Sequence, residues 1–245
     1  MEQSPTPSYE TEVHPEVVPV FVVLDMDNTL FASNNFTPYL SKLFNLNGEE
    51  QAKLMETVET QSGQGFNLLA HLRKHYGAKV NSDLDFSGEG GSSLDYKRIA
   101  DAILAGLDID ACRDQLLVPG ARKLIDALRQ QAVPYEILTT GDEEYQNIKL
   151  AVMKRLLDLS DLPAHVVNEG NVPDKSAMID KLWNQNDKCF VLWNGVAAER
   201  VVVVDDKRTN LATQHDGIQC IHIGTNYDLL DLVADVQGRG GAAFF

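Results

Sequence analysis

Two aspartates, Asp25 and Asp27, close an uninterrupted apolar run, Val17-Val18-Pro19-Val20-Phe21-Val22-Val23-Leu24. A second acidic pair, Asp205-Asp206, closes another run, Arg200-Val201-Val202-Val203-Val204, with Asn210 about a turn further on. Paired carboxylates can divide a reaction between them, one attacking while the other moves protons. Attack by Asp25 on phosphorus gives an aspartyl-phosphate, which splits one hard displacement into two easier ones. Acids gathered in this way repel one another unless a cation sits among them. Oxygen donors suit Mg²⁺, which also neutralises phosphoryl charge. A third stretch, Tyr135-Glu136-Ile137-Leu138, ends in Thr139-Thr140-Gly141, whose hydroxyls and backbone N–H groups can hold phosphoryl oxygens at a helix start. Lys175, in Val172-Pro173-Asp174-Lys175-Ser176, is the lysine best placed to balance these acids, with Lys149 and Lys154 as rivals.

These residues need elements that bring them together. Continuous apolar runs ending at polar residues suit strands buried on both faces, as in parallel sheets. Gln219-Cys220-Ile221-His222-Ile223 before Gly224 is a further strand, and Ala164-His165-Val166-Val167 a weaker one. Helical spacing separates them. Ala121, Leu124, Ile125 and Leu128 share one face, as do Tyr145, Ile148, Val152 and Leu156. Thr140 and Glu143 have capping-box spacing, and Ala177, Met178 and Leu182 follow a start at Pro173-Asp174. Strands alternating with helices give an α/β fold with a parallel sheet covered on both sides. Ligands then collect at the carboxyl ends of the strands, where the polar residues lie.

The stretch 33–115 interrupts this alternation. Leu54, Met55 and Val58, then Phe66, Leu69 and Tyr76, then Tyr96, Ile99, Ile103 and Leu107 have helical spacing, broken by the loop Ser87-Gly88-Glu89-Gly90-Gly91-Ser92-Ser93. The expected organisation is a polar disordered leader over 1–16, a core of 17–32 and 116–235, a helical insert of 33–115, and a flexible tail from 236 that includes Gly238-Arg239-Gly240-Gly241.

Composition sets outer limits. The chain has 245 residues and 44 % hydrophobic content, enough for a packed core, and no apolar run of membrane-spanning length. Its N-terminus lacks the order of a secretory signal. Cys112, Cys189 and Cys220 are sparse and odd in number, which fits reduced, buried thiols and a cytoplasmic setting. A net charge of −15 disfavours tracking a nucleic-acid backbone.

The strand ending Asp25-Met26-Asp27-Asn28-Thr29 resembles the first signature of the haloacid dehalogenase-like superfamily. Thr139, Lys175 and Asp205-Asp206 follow in that superfamily's order. The resemblance covers roughly residues 17–31 and 117–226. It implies a Rossmann-like core with a helical cap inserted after the first strand. It also implies Asp25 as nucleophile and metal ligand, and Asp27 as general acid/base binding metal through its backbone carbonyl. Asp206 becomes the direct metal ligand of the pair, with Asp205 orienting Lys175 or a metal-bound water. A second acid at Asp27 argues against a dehalogenase, whose leaving group needs no proton there. The expected function is Mg²⁺-dependent hydrolysis of a small phosphate monoester. A phosphotransferase, or a non-catalytic binding module on the same fold, is the alternative.

Other residues have plainer readings. His71 and His75 are spaced to bridge a metal on a helix, but His71-Leu72-Arg73-Lys74-His75 lacks a zinc-protease glutamate, so a solvated face is expected. Trp183 and Trp193 read as packing residues.

Overall fold

The computed structural model describes residues 17–61, 67–80, 84, 94–167, 175–213, 215–224 and 226–238. The expected leader, the loop 87–93, Phe66, the Pro173-Asp174 helix start and residues 239–245 lie outside these.

The fold is a mixed α/β arrangement on a seven-stranded, mostly parallel sheet. The strands are β1 (Val17–Asp25), β2 (Tyr135–Thr140), β3 (Ala164–Val167), β4 (Trp183–Asn184), β5 (Cys189–Val191), β6 (Ala197–Asp205) and β7 (Ile218–His222). The order is β3-β2-β1-β6-β5-β4, and β7 pairs with β6. β6 shares its outer edge: its start pairs antiparallel with β5 through Ala197 and Ala198, and Val201 to Asp205 pair parallel with β7. The β4–β5 hairpin was not apparent from sequence, because two- and three-residue strands carry no periodicity.

Both faces of the central strands are buried, as their continuous apolar character requires. Val20, Val22 and Leu24 of β1, with Val202 and Val204 of β6, point into one core; Phe21, Val23, Val201 and Val203 point into the other. The first core is covered by α6 (Ala121–Gln130), α7 (Glu143–Leu157) and α9 (Leu229–Gly238), and the second by α8 (Lys175–Asp180) and the hairpin. In α6 the expected face of Ala121, Leu124, Ile125 and Leu128 is fully buried.

Several boundaries differ from expectation. The N-cap of α7 is Asp142, whose carboxylate accepts from the Tyr145 N–H at 2.9 Å, in place of Thr140, because β2 runs on through Thr140. α8 fully buries Lys175, Ser176 and Ile179; of the expected positions, Met178 is partly buried against the second core, as is Leu182 just beyond the helix. α9 continues to Gly238 and buries Val236, so the start of the expected tail is helix packed on the core. Cys112 and Cys189 are buried, but Cys220 is exposed, with Thr213 Oγ1 at 3.4 Å from its sulfur.

Between β1 and β2, ahead of α6, the described residues are helical: α1 (Thr37–Ser41), α2 (Gly48–Gln61), α3 (Leu68–Tyr76), α4 (Tyr96–Leu104) and α5 (Ile109–Leu116). Leu54, Leu69, Leu72, Ile99 and Ile103 join the same apolar cluster as the sheet face under α6 and α7. Trp183 packs on Phe190 and His215, and Trp193 stacks on His165 with ring centroids 5.0 Å apart. No helix among the described residues is long and apolar enough to cross a membrane.

Gly120 shows how tightly α9 is docked. Its φ is +93°, and an added Cβ would lie 2.9 Å from Leu229 Cβ. Gly120→Ala is therefore expected to cost about 1–3 kcal/mol through backbone strain and contact. Urea unfolding should show a lower midpoint at unchanged slope; an unchanged midpoint would contradict this packing.

Candidate active site

The chain builds β1, β2 and β3 to one side, then crosses to β6 on the other side of β1. In such sheets the crevice opens at the carboxyl ends where strand order reverses. Register places Leu24 beside Val204 and Asp25 beside Leu138. Asp25, Asp205 and Thr139-Thr140 therefore end adjacent strands at one edge.

Asp25 is 6 % exposed. Its Oδ2 accepts from Thr29 Oγ1 at 2.9 Å, and its Oδ1 accepts from the Lys175 ammonium. Lys175 also donates to Asp205 Oδ2 at 3.3 Å. Burial drives the Asp25 carboxyl up, and neighbouring Asp205 adds to this, so that despite Lys175 it is pushed up to about 7. Lys175 is shifted upward: burial opposes its charge, but Asp25 and Asp205 outweigh that cost. A buried ammonium between two carboxylates is a core residue of the site and no solvated helix start.

The acidic pair divides as the strand end dictates. Asp205 is occupied: its Oδ1 accepts from the Lys207 N–H at 2.8 Å, and Asn210 Nδ2 donates to both of its oxygens at 3.0 and 3.1 Å. Asp206 differs. Its backbone is fixed by its N–H to Thr29 Oγ1 at 3.0 Å and by His222 Nε2 at 3.0 Å from its carbonyl oxygen. Its Oδ1 is buried without a hydrogen-bond partner. Burial, then Asp205, raises its carboxyl above the ordinary range.

Oxygens of Asp25, Asp205 and Asp206 lie within 4.8 Å of one another. An orphaned carboxylate oxygen within a cluster of hard oxygen donors fits a divalent cation. The Asp27 carboxylate stands outside this cluster. Its Oδ1 accepts from Ser33 Oγ and Lys149 Nζ, and its Oδ2 accepts from Gln146 Nε2 at 3.1 Å. Burial would raise this carboxyl, but Lys149 and the bonds from Ser33 and Gln146 hold it below the usual range.

Asp25, Asp27 and Lys175 face a cavity of about 830 Å³, lined also by Thr139, Thr140, Lys207, Met55, Val58 and Leu68; Asp205 and Asp206 are not part of that lining. The Thr139 hydroxyl is buried and unpartnered, and so is available to a ligand. Gly141 plays a different part from the one expected. Its N–H donates to the Val167 carbonyl at 3.0 Å and is not free for a phosphoryl oxygen. Its φ is +143°, and a Cβ there would meet Gln146 Nε2 at 2.5 Å.

Lys149, a rival for Lys175 in sequence, occupies its own place at Asp27, while Lys154 does not line the cavity. Gln146 and Ser33 went unrecognised in sequence; their only signal was one helical turn from Lys149 and proximity to the strand end. The His71 and His75 rings on α3 lie 4.5 Å apart, centroid to centroid, and tilted by 39°, and neither lines the cavity. Lys79 is paired with Glu50 and Arg73 with Glu144, and neither lines the cavity.

No protein-family model matches the sequence, and no curated protein matches it. Solved structures do. A haloacid dehalogenase-like hydrolase from Burkholderia xenovorans superposes with a TM-score of 0.50 at 19 % identity, covering 91 % of this chain and 98 % of that one. A haloacid dehalogenase-type phosphatase from Thermococcus onnurineus is similar over 89 % of this chain and 97 % of its own, with 16 % identity and a TM-score of 0.45. The Legionella pneumophila effector Ceg4 aligns over 94 % and 98 %, with 13 % identity and a TM-score of 0.45. The chain thus has the Rossmann-like fold of haloacid dehalogenase-like hydrolases.

Because folded Asp25 holds its proton more tightly than an unfolded carboxylate, its contribution to stability is complete below pH 3.8 and is lost as pH rises to about 7. Metal-free protein in chelator should therefore melt at a higher temperature near pH 5 than near pH 8, and Asp25→Asn should reduce that difference. A variant with the same pH dependence as the parent would refute the assignment.

Proposed function

We propose that the chain is a Mg²⁺-dependent phosphatase that hydrolyses a small phosphate monoester through an aspartyl-phosphate on Asp25. The observation that carries this reading is the position of Asp25. It is buried at the floor of a large cavity, bonded to Lys175, beside the unpartnered oxygen of Asp206.

Each residue then has a role. Asp25 attacks phosphorus, forming the Oδ–P bond as the ester P–O bond breaks. Thr29 holds Oδ2 of that carboxylate and Lys175 holds Oδ1, which together fix its orientation. Thr139, Thr140 and Lys175 hold phosphoryl oxygens. Asp27 passes a proton to the departing alkoxide, then takes one from the water that cleaves the aspartyl-phosphate. A substrate that enters as its monoanion brings the first of these protons with it. Asp25, Asp206 and the Asp27 carbonyl would hold Mg²⁺, with Asp205 supporting Lys175. The ion, when bound, supplies charge neutralisation for the transferring group. The helical segment 33–115 acts as a cap, and Met55, Val58 and Leu68 form its wall of the cavity. A closing cap favours small substrates and excludes water during transfer.

Phosphate release across a panel of phosphorylated metabolites tests this reading. Release should require Mg²⁺, be abolished by Asp25→Asn, and fall about 10²–10⁴-fold in Asp27→Asn, the usual range for general acid/base catalysis. Turnover in Asp25→Asn equal to the parent would exclude the nucleophile. Since the ion must displace the Asp25 proton, Mg²⁺ should raise the melting temperature more at pH 8 than at pH 5; an equal or reversed difference would remove the metal from this site.

A further inference from the structure

We propose that Gly141, Gln146 and Lys149 form one positioning device whose task is to aim the Asp27 carboxylate into the cavity. This inference rests on the reading of Asp27 as the acid/base group.

Asp27 lies in a tight turn. Leu30 and Phe31 both donate to the Met26 carbonyl, and Asn28 takes a left-handed φ of 59°. Such a turn fixes the Asp27 backbone but leaves its side chain a choice of rotamers. Both carboxylate oxygens are nevertheless held, Oδ1 by Ser33 and Lys149 and Oδ2 by Gln146. Gln146 and Lys149 are one turn apart and so share a face of α7. That face is set independently of Asp27. Asp142 caps α7, and Asn67 Nδ2 of the preceding segment donates to Asp142 Oδ2 at 2.8 Å.

The Gln146 amide has a second anchor, donating to the Thr140 carbonyl at 2.8 Å. That amide lies where a side chain at position 141 would begin, beside a glycine whose φ of +143° already disfavours any other residue. Thr140-Gly141 thus serves Asp27 through Gln146. Lys149 is 2 % exposed, its ammonium bonded to Asp27 and set 4.7 Å from the Tyr145 ring centroid. Burying an ammonium is costly without a partner, and a methionine would fill the volume at less cost. A lysine here is explained by what it holds.

Two measurements decide the proposal. Thermal melts of a double-mutant cycle come first. Lys149→Met should lower the melting temperature in the parent but raise it in Asp27→Asn, where the ammonium has lost its partner. An equal shift in both backgrounds would overturn the coupling, and this readout needs no activity. The second compares kcat/KM for an alkyl phosphate with that for p-nitrophenyl phosphate, whose leaving group departs without a proton. Lys149→Met and Gln146→Leu should each lose roughly tenfold to 10²-fold on the alkyl ester and much less on the nitrophenyl ester. Lys149→Arg should recover part of the loss. Equal losses on both esters, or no recovery by arginine, would overturn the positioning role. If Asp25→Asn still turned over both esters, the nucleophile reading would fall while the thermal cycle still judged the clamp.

Discussion

Carboxylates brought together at the end of a buried sheet repel one another and lose their water, and this cost shapes everything around them. The ammonium of Lys175, itself buried, answers it for Asp25 and Asp205 together. Neither partner is stable there alone, since removing one member of a buried ion pair leaves the other unpaired in a poor solvent. The helix that carries Lys175 must therefore start against the mouth of the sheet. Ile179 fixes that helix to the second core, and the loop after β6 turns Asn210 back onto Asp205. What remains uncompensated is the carboxylate of Asp206, and the pushed-up Asp25 beside it. A site in this state is poised for a cation.

The same logic repeats on a smaller scale at Asp27, where α7 provides Lys149 and Gln146. Each acid of the first strand end thus has its own lysine, from a different helix on a different face of the sheet. Such separation lets the two acids hold different protonation states although they are two residues apart. Without a cation Asp25 is raised and Asp27 lowered, the reverse of the order that a nucleophile and a general acid need, so the proposed roles require a cation that displaces the Asp25 proton.

Much of this was legible in the sequence because strand ends leave a strong mark. Asp25-Met26-Asp27, Thr139 and Asp205-Asp206 each close a continuous apolar run, so their convergence followed once the sheet was parallel. The order of these runs with Lys175 carried the fold. The pairing of Lys149 with Asp27 was not legible, because it depends on the phase of α7 relative to a turn 122 residues earlier. Gly141 is a related case: glycine at a strand end suits phosphate binding, and only the structure shows that its N–H bonds the Val167 carbonyl and that Gln146 lies against it. Of the apolar positions read for α8, Met178 and Leu182 pack on the second core, but the buried Lys175 and Ser176 occupy positions that periodicity assigns to hydrophobes. Sequence reasoning failed here where the site overrides the ordinary pattern.

Every role proposed for these residues depends on phosphorylation of Asp25. Rapid acid quenching of Asp27→Asn during turnover of radiolabelled p-nitrophenyl phosphate tests it directly, since that variant should form the acyl phosphate and hydrolyse it slowly. Protein-bound label that hydroxylamine releases and that maps to the peptide containing Asp25 is expected. Continued turnover with no label on the protein, or label on another residue, would contradict it.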